Sequence, residues 1–448
     1  MRRSFLAYVA ALIALVPVLV GVLPGTAGAV EIKTVTTPLG LKAWLVQDKT
    51  APAVSLAFSF SGGTASDPAG KLGVTSLMAA LLTDGAAGFD AQTFRLRVEE
   101  AGASIGFGAS LDRLNGALRV LSANRDDGFE LLRLALTEPR FDRDMLDQRR
   151  AQMLSGLNRA KQSPGAVAAR TFVEAEFAGH PYANDPDGTP EDLKGLATED
   201  VRQRAKALLT RNGLIIAAVG DIDEAELARL LDRTFGGLPQ EAPDGTPPAL
   251  PPDWRPPAKA RTIVVERPVP QSTALLGLPS LTRDDPDWYA LLVLNHVLGG
   301  GGQQSRLFNE VREKRGLAYG ASSSLRTYRK AGLLVISTAS ANERVAEALK
   351  VVRDVLSRLR DEGPTEEEFA EAKTYLTGSL ALALDSSGAI AGLLHSMQVD
   401  QLPPNQLERR AALIDAVTIG DVQRLARRLL DQDRMITVVV GQPVGLSP

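Results

Sequence analysis

Within Ser305–Leu325, SRLFNEVREKRGLAYGASSSL, an arginine and a tyrosine stand where a helical pattern gives way to a strand-like one. The residues before Gly316 have helical periodicity, Gly316 ends it, and AYGASSSL begins a strand. Arg312 and Tyr319 would then project from one helix-to-strand junction. An arginine fork donates several hydrogen bonds in a fixed geometry, and a phenol donates to a carbonyl or a developing oxyanion. Residue types alone favour a plainer reading, a solvated arginine and a core tyrosine.

Other chemistry is sparse. The three histidines, His180, His296 and His395, are each more than ninety residues apart, so none has local metal-ligand spacing. For each, a structural or surface role is the simpler reading. No G-x-S-x-G elbow offers a serine nucleophile. Gly63–Leu72, GTASDPAGKL, has the wrong glycine spacing for a phosphate loop and a leucine where the hydroxyl belongs. Gly299–Gly302 with Gln303-Gln304 follows a helix-like stretch and lacks a dinucleotide fingerprint, so it reads as a flexible turn or a ligand-contacting loop. Gly70–Ala86, GKLGVTSLMAALLTDGA, looks like a short buried helix closed by glycines. Its only ionisable group between Gly73 and Gly85 is Asp84, which reads as a helix-end surface residue. Absence of cysteine excludes thiolate ligands and nucleophiles.

The elements that must position these residues fall into two parts. A chain of 448 residues exceeds one ordinary core. Its formal net charge of −3 argues against a general nucleic-acid binder. Arg2 and Arg3, the apolar run Phe5–Leu23 and Ala27-Gly28-Ala29 have the order of a secretory signal peptide over residues 1–29, cut after Ala29. An uncleaved membrane anchor is the rival reading. Export is expected, to the periplasm if the source is Gram-negative, with no membrane attachment after cleavage. The proline-rich stretch 237–260 reads as a linker between an N-terminal domain, 30–236, and a C-terminal domain, 261–448.

The two parts look like a tandem duplication. Asp200-Val201 and Asp421-Val422 each open an amphipathic helix that leads to a β-branched strand ending in Gly220 or Gly441. Ser122-Ala123-Asn124 and Ser340-Ala341-Asn342 stand at matching strand-to-helix junctions. LKAWLVQD and VSLAFSFSG alternate as half-buried strands, SIGFGASL and GALRVLSA suit a hairpin, and Asp144–Arg159 and Pro164–Phe177 suit helices. Strands grouped away from paired helices predict an α+β fold with a mainly antiparallel sheet in each domain.

LGGGGQQSRLFNEVREKRGLAYGASS resembles the second half of the M16 metallopeptidases, the pitrilysin, insulinase and mitochondrial processing peptidase group. GHPYANDPDGTPEDLKGLATEDV, from Gly179, resembles the matching signature of that family's first half. The resemblance covers essentially the whole mature chain, and it implies two homologous M16-type domains. The family's zinc helix reads G-L-A-H-F-L-E-H-M-L-F-K-G-T. Laid on Gly73–Ala86, it puts Ser76 and Ala80 at the two histidine ligands and Ala79 at the glutamate base. The third ligand, a later glutamate, falls at Gly156. The resemblance therefore implies a degenerate zinc site with no metal bound by this chain.

In active family members an arginine and a tyrosine of the second half hold the substrate backbone near the zinc, and Arg312 and Tyr319 match them. The resemblance thus implies a non-catalytic, substrate-binding subunit of a heteromeric exported peptidase. A partner carrying HxxEH would supply zinc and base, and the pair would enclose an unfolded peptide. The alternative is a scaffold or peptide-binding protein of the same fold with no peptidase role.

Overall fold

A computed structural model describes residues 31–243, 245, 251–380 and 384–446, and the chain in it builds two large sheets. The expected signal segment lies outside the described residues, as does part of the proline-rich stretch. The first sheet contains β1 (Lys33–Thr36), β2 (Lys42–Gln47), β3 (Ala53–Ser61), β4 (Ala103–Ala109), β5 (Arg113–Leu121) and β6 (Ile215–Gly220), in the order β1-β2-β6-β3-β5-β4. The second contains β7 (Arg261–Glu266), β8 (Gln271–Pro279), β9 (Ala318–Tyr328), β10 (Ala331–Ala341) and β11 (Ile436–Gly441), in the order β9-β10-β8-β11-β7. Each sheet has one parallel pair, β2 with β6 and β7 with β11, and is otherwise antiparallel. The second sheet repeats the connectivity of the first, which adds only the edge strand β1.

Around the sheets lie, among others, helices α1 (Val74–Leu81), α2 (Arg143–Ala160), α3 (Pro164–Glu176), α4 (Thr198–Leu208), α5 (Trp288–Asn295), α6 (Ser387–Val399) and α7 (Ile419–Leu429). The repeated Asp-Val pairs have a physical origin. Asp200 Oδ2 accepts from Ala197 N at 2.8 Å and Asp421 Oδ2 from Thr418 N at 3.1 Å, each carboxylate reaching back to cap the first turn of α4 or α7. Among the described residues no helix is long and apolar enough to cross a membrane.

Each half lends a helix to the other's sheet. α3 packs on β11 and β8, and α6 packs on β6 and β3. This corrects the half-buried pattern expected for β3, which is buried on both faces except at Ala57 and Ser61. Val54, Leu56, Phe58 and Phe60 enter the first core. The opposite face meets α6, where Ser55 Oγ lies 2.9 Å from Ser387 Oγ and Ser59 Oγ lies 2.6 Å from His395 Nε2. Ser59 pairs with Ile215 and Gly277 with Ile436, so these two residues hold matching places in the duplicated sheets. At the second place the ring of Phe172 takes the space that a side chain on Gly277 would need.

Candidate functional site

Helix α1 starts at Gly73, whose φ of +87° suits only glycine and whose Cβ would lie 2.6 Å from the Asp187 carbonyl oxygen. Asp67 Oδ2 accepts from Gly73 N at 2.9 Å, and its other oxygen accepts from the Thr75 hydroxyl. From α4, the buried Arg204 donates to Thr75 Oγ1 at 2.7 Å, to Ser66 Oγ at 2.7 Å and to Gly63 O at 3.0 Å, with Asp67 at 3.4 Å. Burial pushes the Asp67 carboxyl up and the Arg204 guanidinium down from their ordinary values. The start of α1 is thus fixed by a buried polar network.

On α1 the hydroxyl of Ser76 donates to Pro186 O at 2.7 Å, Ala79 is buried and Ala80 half-buried. Gly156 lies on α2, which packs against α1, and a Cβ there would find only the Arg159 guanidinium, 4.0 Å away. The structure therefore brings the helices bearing Ser76, Ala79, Ala80 and Gly156 together. Asp84 is not a surface residue, because the end of α1 tucks under α2. It is 2% exposed and takes a bidentate pair from Arg149, with Nε at 2.6 Å and an Nη at 2.8 Å.

In the second half, α5 runs into a π-helical segment, His296–Gly300. The glycine run is not a loose loop. A Cβ on Gly299 would overlap the Ser323 backbone, so glycine lets this turn press against β9. A second π-helical segment, Asn309–Glu313, carries Arg312, and Gly316 (φ +56°) turns the chain into β9. Burial alone would raise the Glu310 carboxyl, but hydrogen bonds from Lys314, Arg315 and Arg358 outweigh it and hold it at about 2. Arg312 is left apart, its guanidinium 4.9 Å from the Phe308 ring centroid and 3.8 Å from Glu313. Tyr319 is 80% exposed, which rules out a core tyrosine. Its hydroxyl makes no hydrogen bond among the described residues. No hydrogen bond or ion pair among them links Arg312 or Tyr319 to the α1–α2 shell.

A family model described as Insulinase (Peptidase family M16) matches residues 42–188, and one described as Peptidase M16 inactive domain matches residues 196–376. A crystal structure of a peptidase M16 inactive domain from Pseudomonas fluorescens superposes with a TM-score of 0.87 at 30% identity, covering 93% of this chain and 99% of that one. The chain belongs to peptidase family M16. Within the family, an uncharacterized zinc protease of Streptomyces coelicolor is 28% identical over 326 residues, 72% of this chain and 70% of its own length. A non-peptidase homolog of Helicobacter pylori is 26% identical over 326 residues, covering 72% and 73%.

The residues that the sequence alignment sets at the family's zinc positions do not fit a zinc ion. Alanine and glycine bring no donor atom, and the Ser76 hydroxyl is neutral and committed to a carbonyl. The Asp84 carboxylate at the end of α1 is held in the Arg149 fork. Among the described residues no group of three His, Asp or Glu side chains is placed to hold a metal.

Sequence reasoning missed three polar features, each assembled across long separations that no local spacing signals. One is the Asp67–Thr75–Arg204 network. Another is the contact of Ser59 with His395, where Arg113 also donates to Ser59 Oγ and to the carbonyls of Ser59 and Gly213. Burial, with the nearby Arg113 charge, pushes the His395 imidazole down to about 4. The third is Glu176 on α3, 2% exposed with both oxygens lacking partners among the described residues, its carboxyl pushed up to about 7 by burial. His180 bonds to structural neighbours, Nε2 donating to Pro252 O at 2.9 Å and Nδ1 accepting from Tyr182 N at 3.1 Å. His296 is buried against the Tyr375 ring.

Proposed function

We propose that this chain is the non-catalytic, substrate-binding subunit of a heteromeric, exported M16-type zinc peptidase. A partner with an intact HxxEH helix would bring zinc and the general base, and this chain would bring Arg312 and Tyr319 to the same unfolded peptide. The observation that carries the reading is a contrast. Arg312 and Tyr319 face solvent, the guanidinium with only the loose Glu313 pair and the Phe308 ring beside it and the phenol with no hydrogen bond among the described residues, while the emptied α1–α2 shell is kept in register by Arg204 and Arg149. The non-peptidase name of the Helicobacter pylori relative is in keeping with a chain that cleaves nothing alone. In the complex, the guanidinium would hold peptide carbonyls and the phenol would donate to the oxyanion formed at the partner's zinc. The extended peptide would lie along the partner's sheet edge.

The test is Arg312→Ala and Tyr319→Phe in a mixture with an HxxEH-bearing homologue from the same organism. Each is expected to lower kcat/KM for peptide hydrolysis by about 10²-fold, the scale for loss of one oxyanion donor, with the complex intact by sedimentation. Wild-type turnover in both variants would refute the role. A chain that binds peptide but no such homologue would favour the scaffold reading.

A further inference from the structure

The duplication supplies an internal control for how Tyr319 is aimed. Aligned on Ser122-Ala123-Asn124 and Ser340-Ala341-Asn342, the edge hairpin of the first half, β4–β5, matches that of the second, β9–β10. In the first half the register runs from Ala103↔Val120 to Ala109↔Leu114; its first pair holds the place of Ala321↔Thr338, so that ladder ends before the place that Tyr319 and Gly320 occupy in the second. In the second it shifts between Ala318↔Ser340 and Ala321↔Thr338, so Tyr319 and Gly320 together face the single residue Ala339. That is a β-bulge, a device that re-aims a side chain and leaves backbone groups outside the ladder.

The carbonyls around the bulge are taken up by β10 and the turn after it. Thr338 Oγ1 donates to Gly320 O at 3.0 Å, and the Ser340 hydroxyl donates to Leu317 O. Both side chains are buried. Arg344 donates to Gly316 O at 2.8 Å and to Arg315 O at 3.1 Å, clamping the turn that separates Arg312 from Tyr319. The first half lacks these three bonds and ties the chain before β4 differently, Asn124 donating to Ala101 O at 3.1 Å. Val120 stands in the place of Thr338, the buried Ser122 hydroxyl has no partner among the described residues, and Asp126 replaces Arg344 and pairs with Arg229 instead.

We propose that Thr338, Ser340 and Arg344 are positioning residues that fix the bulge and so set the Tyr319 phenol, and its spacing from Arg312, for a peptide backbone. This rests on the function proposed above. A bulge stabilised by three side chains, in the half that carries the arginine and tyrosine, is otherwise unexplained by the fold, since the first sheet closes on a hairpin whose ladder stops before that place.

The experiment has two readouts. In the free chain, 3-fluorotyrosine incorporated at position 319 reports the phenol's surroundings by ¹⁹F NMR. Thr338→Val with Ser340→Ala, and separately Arg344→Met, are expected to move or broaden that signal, and Thr338→Ser to restore it. In the mixture with the HxxEH homologue, the same variants are expected to lower kcat/KM by about tenfold, the scale for a small misplacement of a reacting group. Added to Tyr319→Phe, they are expected to cost almost nothing more. An unmoved fluorine signal overturns the positioning role whatever the activity. Losses that simply multiply with Tyr319→Phe overturn its use in turnover. A wild-type mixture that cleaves nothing refutes the parent reading, while the fluorine signal still decides the bulge.

Discussion

Glu176→Gln tests whether the crossover of α3 onto the second sheet holds a buried, unpaired carboxyl. Glu176 is 2% exposed, neither oxygen has a partner among the described residues, and Gly277 and the Phe172 ring lie beside it. Burial pushes its carboxyl up to about 7 from the ordinary 4.5. A raised carboxyl binds its proton more tightly in the folded chain. The stability it contributes is present when it is protonated and is lost as pH rises from about 4.5 through 7. Between pH 5 and pH 8 the loss is about 2.5 kcal/mol, at ~1.4 kcal/mol for each unit of difference. Glutamine keeps the shape and cannot ionise, so the variant should match the wild type within about 1 kcal/mol at pH 5 and exceed it by about 2.5 kcal/mol at pH 8. Urea unfolding followed by Trp254 fluorescence, with Trp44 and Trp288 replaced by phenylalanine in both proteins, is a local assay, because the Trp254 indole donates to Glu176 O at 3.1 Å. A midpoint gain of about 1 M urea at pH 8 is expected. A variant no more stable than the wild type at pH 8, or equally stabilised at both pH values, would refute the reasoning.

At the other crossover the sign is opposite. His395 is pushed down to about 4, so the folded chain holds fewer protons than the unfolded chain between pH 6.5 and 4, and stability falls as pH falls through that window. His395→Gln should match the wild type near pH 7 and be about 2 kcal/mol more stable at pH 4.5 by the same unfolding assay; a gain at pH 7 instead would contradict the assignment. Arg204→Met strands Asp67 and Thr75 at the start of α1 and should cost about 3–5 kcal/mol, read as a fall in thermal midpoint; an unchanged midpoint would show that the network is not needed to hold the shell.

Much of the architecture was legible because it is local and repeated. The Asp-Val helix starts, the β4–β5 hairpin, the helices over Asp144–Arg159 and Pro164–Phe177 and the glycine before β9 are set by residues a few positions apart. Helix exchange between the halves was not legible. Periodicity along β3 records an apolar face and a small polar face, and nothing local says that α6, more than three hundred residues later, covers the second face. Asp84 misled for the same reason, since its burial depends on Arg149 of another helix. The positions of Ser76, Ala79, Ala80 and Gly156 follow from alignment with the M16 pattern. What holds their helix in place lies at Asp67 and Arg204, which are distant in the chain. The exposure of Tyr319 depends on a bulge pinned by residues of the next strand, which no single-strand pattern encodes.

The central claim is that this chain has no peptidase chemistry of its own and completes that of a partner. The direct measurement is hydrolysis of an unfolded peptide by this chain alone, by an HxxEH-bearing homologue from the same organism alone, and by the mixture, with bound zinc counted in each. The account predicts zinc in the homologue and the mixture, none in this chain, and cleavage that rises on mixing. Zinc-dependent cleavage by this chain alone, or a mixture no more active than the homologue, would contradict it.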